Sequence, residues 1–469
     1  MMNRILLKQT RPCFLILIGW LITLTTFADD LKIGAASVKI TPPVGASMAG
    51  YFYERGVDKI HDDLYAKALV IEKDGVKIAI VSCDLIGISA NIVAEVRRLV
   101  AKSLGIGAAH IMIGATHSHT GPVIPSFRDR YSSTKSKGAE ILAGYIAKLP
   151  GLIAESITLA NAALKPAKLS FGLGHEETIS FNRRFFMTDG TVGWNPGKLN
   201  PKIIKPAGPI DPDVSVLYAE TAEGKPISTY VNLALHLDNV SGTEVSADLP
   251  FTLSTILGKV KGSEMVTAFS QGCSGNINHI NVKTNTPQSG HYEAERLGTV
   301  LAGEVIKTYT RLSPLEIKTI AVKSEIVPLP LADISKDELP WARETVAKFG
   351  KPDAAPFLDF VKAFKILEIE GRNGKPIDAE IQVFSLGEQC AIVSLPGEIF
   401  TEIGMYIKSR SPYPFTIITE LTNGSLGYVP DRKAYTEGNY EVITSRVAPG
   451  SGEILAENAL RMLNELKNK

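Results

Sequence analysis

Three short segments carry residue types that could do chemistry. Gly114-Ala115-Thr116-His117-Ser118-His119-Thr120-Gly121-Pro122 directly follows a hydrophobic run. In extended backbone alternate side chains point to the same side, so His117 and His119 can converge on one metal ion or one substrate. The plainer alternative is a pair of surface histidines in a turn. A second histidine, His236, ends the apolar run Thr229–Leu235 and precedes Leu237-Asp238-Asn239 and Ser246-Ala247-Asp248. The end of a central strand is where open α/β sheets build sites, and a satisfied core histidine is the competing reading. The third segment is Phe269-Ser270-Gln271-Gly272-Cys273-Ser274-Gly275-Asn276-Ile277-Asn278-His279. Its small, turn-forming residues let backbone approach a ligand closely. Ser274 is not in a nucleophile elbow, because Asn276 stands where the final glycine belongs. Cys273 reads better as a small buried thiol than as a nucleophile.

The surrounding pattern supplies elements to position these segments. Residues 67–72 and 77–83 are β-rich runs flanking the turn Lys73-Asp74-Gly75, and 110–115 is another strand. Ile92, Val93, Val96, Leu99, Val100 and Leu104 recur at helical spacing, with Gly105 as a C-cap. Helices over about 137–149 and 152–164 should break at Pro150-Gly151. Strands are expected over 214–220 and 229–236, and a helix over 292–309. Beyond Leu312 strand-like runs at 316–334 and 378–395 enclose a charged helical stretch, about 335–370. Helices are expected over 398–409 and 453–466, and the Gly- and Tyr-rich stretch 423–452 reads as a long functional loop. The fold class is α/β (mixed α+β), one large unit over residues 29–469 whose C-terminal subregion begins near 313.

Composition narrows the function classes. With 50 basic and 49 acidic residues in 469, 45% hydrophobic, the chain is globular and lacks the basic excess of a nucleic-acid binder. Arg4, Lys8 and Arg11 precede the mostly apolar run 13–24, and Thr26-Phe27-Ala28 offers small residues for cleavage. That is the pattern of a signal peptide over residues 1–28, predicting a periplasmic or secreted protein. Cleavage removes three uncompensated basic residues and leaves a net charge of −2 on 441 residues. No other stretch approaches transmembrane length, so no stable membrane insertion is expected after cleavage. Cys83, Cys273 and Cys390 are too few and too odd in number for a disulfide framework.

Taken together the motifs resemble the neutral/alkaline non-lysosomal ceramidase family. The resemblance rests on the opening Gly34-Ala35-Ala36-Ser37-Val38-Lys39-Ile40-Thr41-Pro42, on Met48-Ala49-Gly50-Tyr51, Ile60-His61-Asp62 and Val81-Ser82-Cys83-Asp84, and on the Thr-His-x-His-x-Gly-Pro box. It runs at low identity from about residue 33 to about 446. It implies a large central-sheet zinc hydrolase domain, without a C-terminal immunoglobulin-like domain, that binds one zinc and cleaves the amide of an N-acyl sphingoid base. Carried over residue by residue, it implies His117, His236, Glu398 in Leu395-Pro396-Gly397-Glu398, and Tyr428 in Leu426-Gly427-Tyr428-Val429 as zinc ligands. Such a donor set suits Zn²⁺ and leaves room for a water that the metal activates near neutral pH. The resemblance further implies His119 as proton shuttle or substrate contact, and Arg183 and Tyr440 facing the developing oxyanion. Asp248 is a candidate to orient His236 from behind.

Two departures shape the functional reading. The family carries a serine in a Gly-[Asp/Asn]-x-Ser-Pro-Asn motif, whereas alignment through Phe269, Gln271, Gly275 and Asn276 puts Asn278 at the serine and His279 at the proline. A serine acyl-enzyme is thereby replaced by direct attack of water, with Asn278 positioning substrate or donating a hydrogen bond. Asp238 adds a carboxylate beside a zinc ligand and could bind a second cation or a polar substrate. The reading that follows is an exported zinc-dependent hydrolase cleaving an N-acyl amide or related acyl bond of a small-molecule, glycan or lipid substrate. The alternatives are a zinc-dependent glycoside hydrolase or polysaccharide lyase, and a non-catalytic metal-containing binding protein.

Overall fold

The computed structural model describes residues 31–51, 55–125, 136–349 and 355–468; the expected signal peptide lies outside them. Eight strands follow one another across the main sheet in the order Val266–Gln271, Pro226–Leu233, Asp213–Thr221, Lys165–His175, Lys32–Lys39, Tyr65–Lys73, Val76–Cys83 and Ile111–Ala115. Its interior pairs are antiparallel, but the pair at each edge is parallel. A parallel pair needs a crossover, and here helices Leu249–Lys261 and Ala90–Leu104 provide it. A smaller sheet, ordered Ile320–Leu329, Ile377–Leu386, Cys390–Ser394, Phe415–Thr419, repeats the device. Its last pair is parallel, bridged by helix Thr401–Arg410.

The strands read as near-continuous apolar runs because both of their faces are covered. Along Tyr65–Lys73, Leu69 and Ile71 pack with Phe384, Ile392 and Ile417 of the smaller sheet. The alternate residues Ala66, Ala68 and Val70 pack under Val93, Val96 and Val100 of helix Ala90–Leu104, and under Ile153 and Ile157 of helix Leu149–Ala162. Leu253, Leu257, Leu297 and Leu301 cover the other end of the large sheet. Ile403, Ile407, Leu455 and Leu463 cover the outer face of the small one. The layers therefore run helix, sheet, sheet, helix. The large sheet also curls until its edges meet. The Ser82 hydroxyl donates to the carbonyl of Phe269, and Gln271 Nε2 donates to the Thr116 carbonyl at 2.8 Å.

Several sequence expectations shift. The break between helices Lys137–Ile146 and Leu149–Ala162 falls at Ala147 and Lys148, ahead of Pro150. Proline sits in the first turn of the second helix, where its missing N–H costs nothing. The strand expected to reach His236 ends at Leu233, leaving the histidine on a loop. The stretch 423–452 is not one long loop: it holds strand Tyr428–Val429 and helices Arg432–Glu437 and Tyr440–Thr444, and leads into helix Ser451–Lys467. Lys137–Ala162 is long and apolar enough, by length and composition, to cross a membrane, contrary to expectation. Its second helix instead buries Leu149, Ile153, Ile157 and Ala160 against the sheet.

Candidate metal centre

The parallel pairs of the large and the smaller sheet deliver chain to the same place. The loop after Ile111–Ala115 carries His117 and His119, and the loop after Pro226–Leu233 carries His236 and Asp238. The one after Cys390–Ser394 carries Glu398. Because the large sheet curls, loops from its opposite edges become neighbours: His117 Nε2 lies 2.9 Å from His236 Nε2 and 3.2 Å from His119 Nε2. The convergence of His117 and His119 is not the strand alternation expected from sequence. His117 adopts φ +72°, so the chain turns at that residue. Such backbone is strained for a residue with a Cβ, and strain of this kind gathers at functional sites.

The tautomers follow from the partners. His117 Nδ1 faces the Ile86 carbonyl at 2.6 Å, and His236 Nδ1 faces the Ser274 carbonyl at 3.4 Å. A carbonyl only accepts, so both Nδ1 atoms carry the proton and both Nε2 atoms present lone pairs. Two lone pairs 2.9 Å apart repel unless a cation lies between them. Glu398 Oε2 adds a third donor, 3.6 Å from each of these Nε2 atoms. Burial first, then the neighbouring His117 imidazole, pushes the His119 imidazole down to about 3 and His236 well below its ordinary range. The nitrogens stay unprotonated, as metal ligation requires. His117, His119 and His236 lie close enough together to hold a metal ion, and the opposed lone pairs of His117 and His236 with Glu398 beside them fit a divalent cation such as zinc, with His119 adjacent.

Tyr428 joins them through strand pairing. Glu398–Ile399 and Tyr428–Val429 form a short parallel ladder with Glu398 and Tyr428 in register. The Arg183 guanidinium packs against the Tyr428 ring, 5.3 Å from its centroid. Gly275 lets the Glu398 strand approach: a Cβ there would lie 2.5 Å from the Glu398 carbonyl oxygen. Arg183 is buried, donates Nε to Glu441 at 2.9 Å and Nη2 to the Gly275 carbonyl at 2.7 Å, and lies under the rings of Tyr428 and Tyr440. Tyr440 opens helix Tyr440–Thr444 and packs edge-on against Tyr428 at 5.4 Å.

The remaining candidates divide. Asp238 Oδ1 meets His279 Nδ1 at 3.1 Å, and His279 Nε2 meets the Gln288 carbonyl at 2.7 Å. Burial works to raise the Asp238 carboxyl, but the His279 hydrogen bond and the neighbouring imidazoles outweigh it and hold the group well below the carboxylate range. Asn278 is fully buried, donates Nδ2 to Asn195 Oδ1 at 2.9 Å and accepts from the Ile280 N–H at 3.1 Å. Asp248 does not orient His236, a correction to the sequence reading. It caps helix Leu249–Lys261 through the Leu249 N–H and accepts from the loop N–H groups of Asn239 and Val240, so both of its oxygens are taken. The carbonyl of Ser274 takes the place behind His236.

Three residues that hold the site were missed. Gln271 ties the two histidine loops, donating to Thr116 and accepting from the Leu235 N–H at 3.4 Å. Glu420 accepts from Ser274 N–H (3.0 Å) and hydroxyl (2.6 Å), and from the Ile399 N–H (2.6 Å). It thus joins the backbone behind His236 to the backbone beside Glu398. Glu441 binds both Arg183 and Arg184. Only the adjacency of Tyr440 to an acidic residue, and of two arginines, could have signalled the last.

Residues 31–191 match the family model described as neutral/alkaline non-lysosomal ceramidase, N-terminal. Comparison with curated proteins gives no match. Among solved structures, a neutral ceramidase from Pseudomonas aeruginosa superposes with TM-score 0.72 at 20% identity, covering 94% of this chain and 75% of that one. A ceramidase complexed with C2 gives 0.71 at 19%, with the same coverage. The chain therefore carries the neutral ceramidase fold, its residues 31–191 matching that family's N-terminal domain, around a histidine cluster able to hold a metal ion.

Proposed function

We propose that the chain is an exported, zinc-dependent hydrolase that cleaves an N-acyl amide or a related acyl bond. The observation that carries this reading is the convergence of two Nε2 lone pairs and the Glu398 carboxylate beside a buried arginine and two tyrosines. A zinc ion held by His117, His236, Glu398 and Tyr428 would supply Lewis acidity toward water and the substrate carbonyl. The Arg183 guanidinium and the Tyr440 hydroxyl stand where they can stabilise negative charge growing on the acyl oxygen. His119, neutral and adjacent, takes the proton that water loses on bonding to the acyl carbon. It returns that proton to the nitrogen as the C–N bond breaks, leaving a carboxylic acid and an amine, which separate as carboxylate and ammonium once the acid proton passes to the amine. The signal-peptide pattern of residues 1–28 supports a periplasmic or secreted site of action.

Metal analysis of the purified protein should find about one zinc per chain, since one donor cluster of this kind occurs among the described residues. His117→Ala should lose both the metal and hydrolysis of a panel of N-acyl amides and esters. A metal-free wild-type protein that still hydrolyses its substrate would sink the proposal.

A further inference from the structure

His117 and His236 are each held by a carbonyl behind Nδ1, but His119 is not. Among the described residues its ring has no hydrogen-bond partner besides His117 Nε2, at 3.2 Å. Where that imidazole points is therefore set by its backbone. The neighbouring Ser118 and Thr120 hydroxyls both donate to the Ser246 carbonyl, at 2.6 and 3.0 Å, and tie the turn down on either side. His119 itself is left to two bonds. Its N–H donates to the Leu237 carbonyl at 3.3 Å, a long contact. Its carbonyl accepts from Arg55 Nη2 at 2.7 Å, a short and charge-assisted one.

Arg55 is itself placed in advance. Its backbone pairs antiparallel with the chain that carries Ala49: the Met48 N–H donates to the Arg55 carbonyl at 2.8 Å, and Ser47 bridges to Gly56. The side chain is buried, with the Tyr51 ring centroid 4.2 Å from Cζ. Besides His119, the guanidinium donates to the carbonyls of Ala49 and Gly242. Three carbonyls from three segments thus converge on one rigid, planar fork, which a lysine ammonium cannot reproduce. Gly242 lies on the loop that carries His236 and Asp238. Gln271 ties the two histidine loops at Thr116 and Leu235, ahead of the histidines. Arg55 ties the same loops at His119 and Gly242, beyond the first histidine of each. Gly50 makes room for this clamp: at φ +98° it lies where a Cβ would come 2.3 Å from the His119 carbonyl oxygen.

We propose that Arg55 is the positioning residue for His119: its guanidinium holds the His119 turn against the loop beyond Asp238 and so fixes the imidazole for proton transfer. The proposal rests on the hydrolase reading for what His119 does, but not for how it is held.

The test uses the zinc-loaded protein with its eight histidines isotope-labelled for NMR. Arg55→Gln should move the His119 ring resonances, assigned from their loss in His119→Ala. Those of His117 and His236 should stay in place, with zinc retained. Arg55→Lys should fall between this variant and the wild type, and it carries the same comparisons if Arg55→Gln does not fold. With N-hexyl hexanamide, Arg55→Gln should lower kcat about 100-fold and leave KM within about threefold. With nitrophenyl hexanoate, whose leaving group needs no proton, the loss should be only about tenfold. In a His119→Ala background the same change should cost the amide less than about threefold, since both residues would act through one group. Absence of turnover with the ring shift present would refute the hydrolase reading alone. An unmoved His119 ring, equal losses on amide and ester, or a cost as large without His119 as with it would overturn this proposal. Loss of zinc with movement of all three rings would overturn it too, by showing a general structural role.

Discussion

The nitrogen side and the oxygen side of the centre are held in different ways. His117, His119 and His236 come from the large sheet, and the two whose Nδ1 atoms are tied are tied to neutral backbone carbonyls. Glu398 and Tyr428 come from the smaller-sheet half and stand among buried ionisable side chains: Glu420 behind the Glu398 backbone, Arg183 against Tyr428, Glu441 behind Arg183. A carbonyl orients an imidazole without introducing charge. A carboxylate in a dry site is stabilised by a nearby cation, and the buried Arg183 guanidinium, packed against the Tyr428 ring and paired with Glu441, supplies positive charge on this side. The nitrogen side should therefore be governed by loop geometry and the oxygen side by electrostatic balance.

Removing one donor from each side gives the largest effect. His236→Ala and Glu398→Ala should each lower kcat/KM by roughly a thousandfold and empty the metal site, as read by metal stoichiometry and steady-state rates. If Glu398→Ala kept its metal, the two sides would not be partners in one site.

Glu441→Ala tests the charge balance directly. It leaves the two buried guanidiniums of Arg183 and Arg184 without their shared carboxylate and should cost about 3–5 kcal/mol in denaturant unfolding. No comparable loss is expected from changing a histidine's carbonyl partner.

Glu420→Ala touches both sides at once. It strips acceptors from the N–H groups of Ser274 and Ile399, and should lower zinc affinity about 10–100-fold in a chelator competition. An unchanged affinity would show that the two sides are positioned independently.

The smallest effect comes from a surface network that serves neither side. The hydrogen bonds from Arg461, then Lys323, hold the Glu325 carboxyl at about 2, below its ordinary 4.5. A lowered folded value means stability present above the unfolded value and lost as pH falls from about 4.5 toward about 2. The side chain is 30% exposed, and solvent screens it, so Glu325→Gln should cost under about 1 kcal/mol at pH 7. Little of that difference should remain near pH 2, in thermal melts at both pH values.

Legibility in the sequence followed the range of the interactions. Helix Ala90–Leu104 was readable because its apolar spacing and its Gly105 cap are local, and the cap takes the left-handed conformation only glycine adopts cheaply. The His-x-His box, His236, Glu398 and Tyr428 were readable as residues, through family resemblance. The end of the strand before His236 was not, since the run of apolar residues continues to Leu235 while the pairing partner ends at Gln271. The order inside 423–452 was hidden because Tyr428–Val429 is a strand only where it pairs with Glu398–Ile399. Asp248 was misjudged because its carboxylate is taken by backbone N–H groups, those of Asn239 and Val240 in the loop and that of Leu249 at the start of the helix it caps.

By itself the sequence determined which donors exist and which segments carry a local signal, such as helix Ala90–Leu104 with its Gly105 cap. These depend on side-chain identity and on periodicities a few residues long. Only the tertiary structure decided that His117 and His236 meet. They leave opposite edges of one sheet, and they become neighbours because that sheet curls until Ser82 reaches Phe269. Curvature is a sum over many strands packed against a second sheet, so no local spacing encodes it. The same holds for Glu420, Glu441 and the Asp238–His279 pair, whose roles come from partners 21 to 258 residues away in the chain.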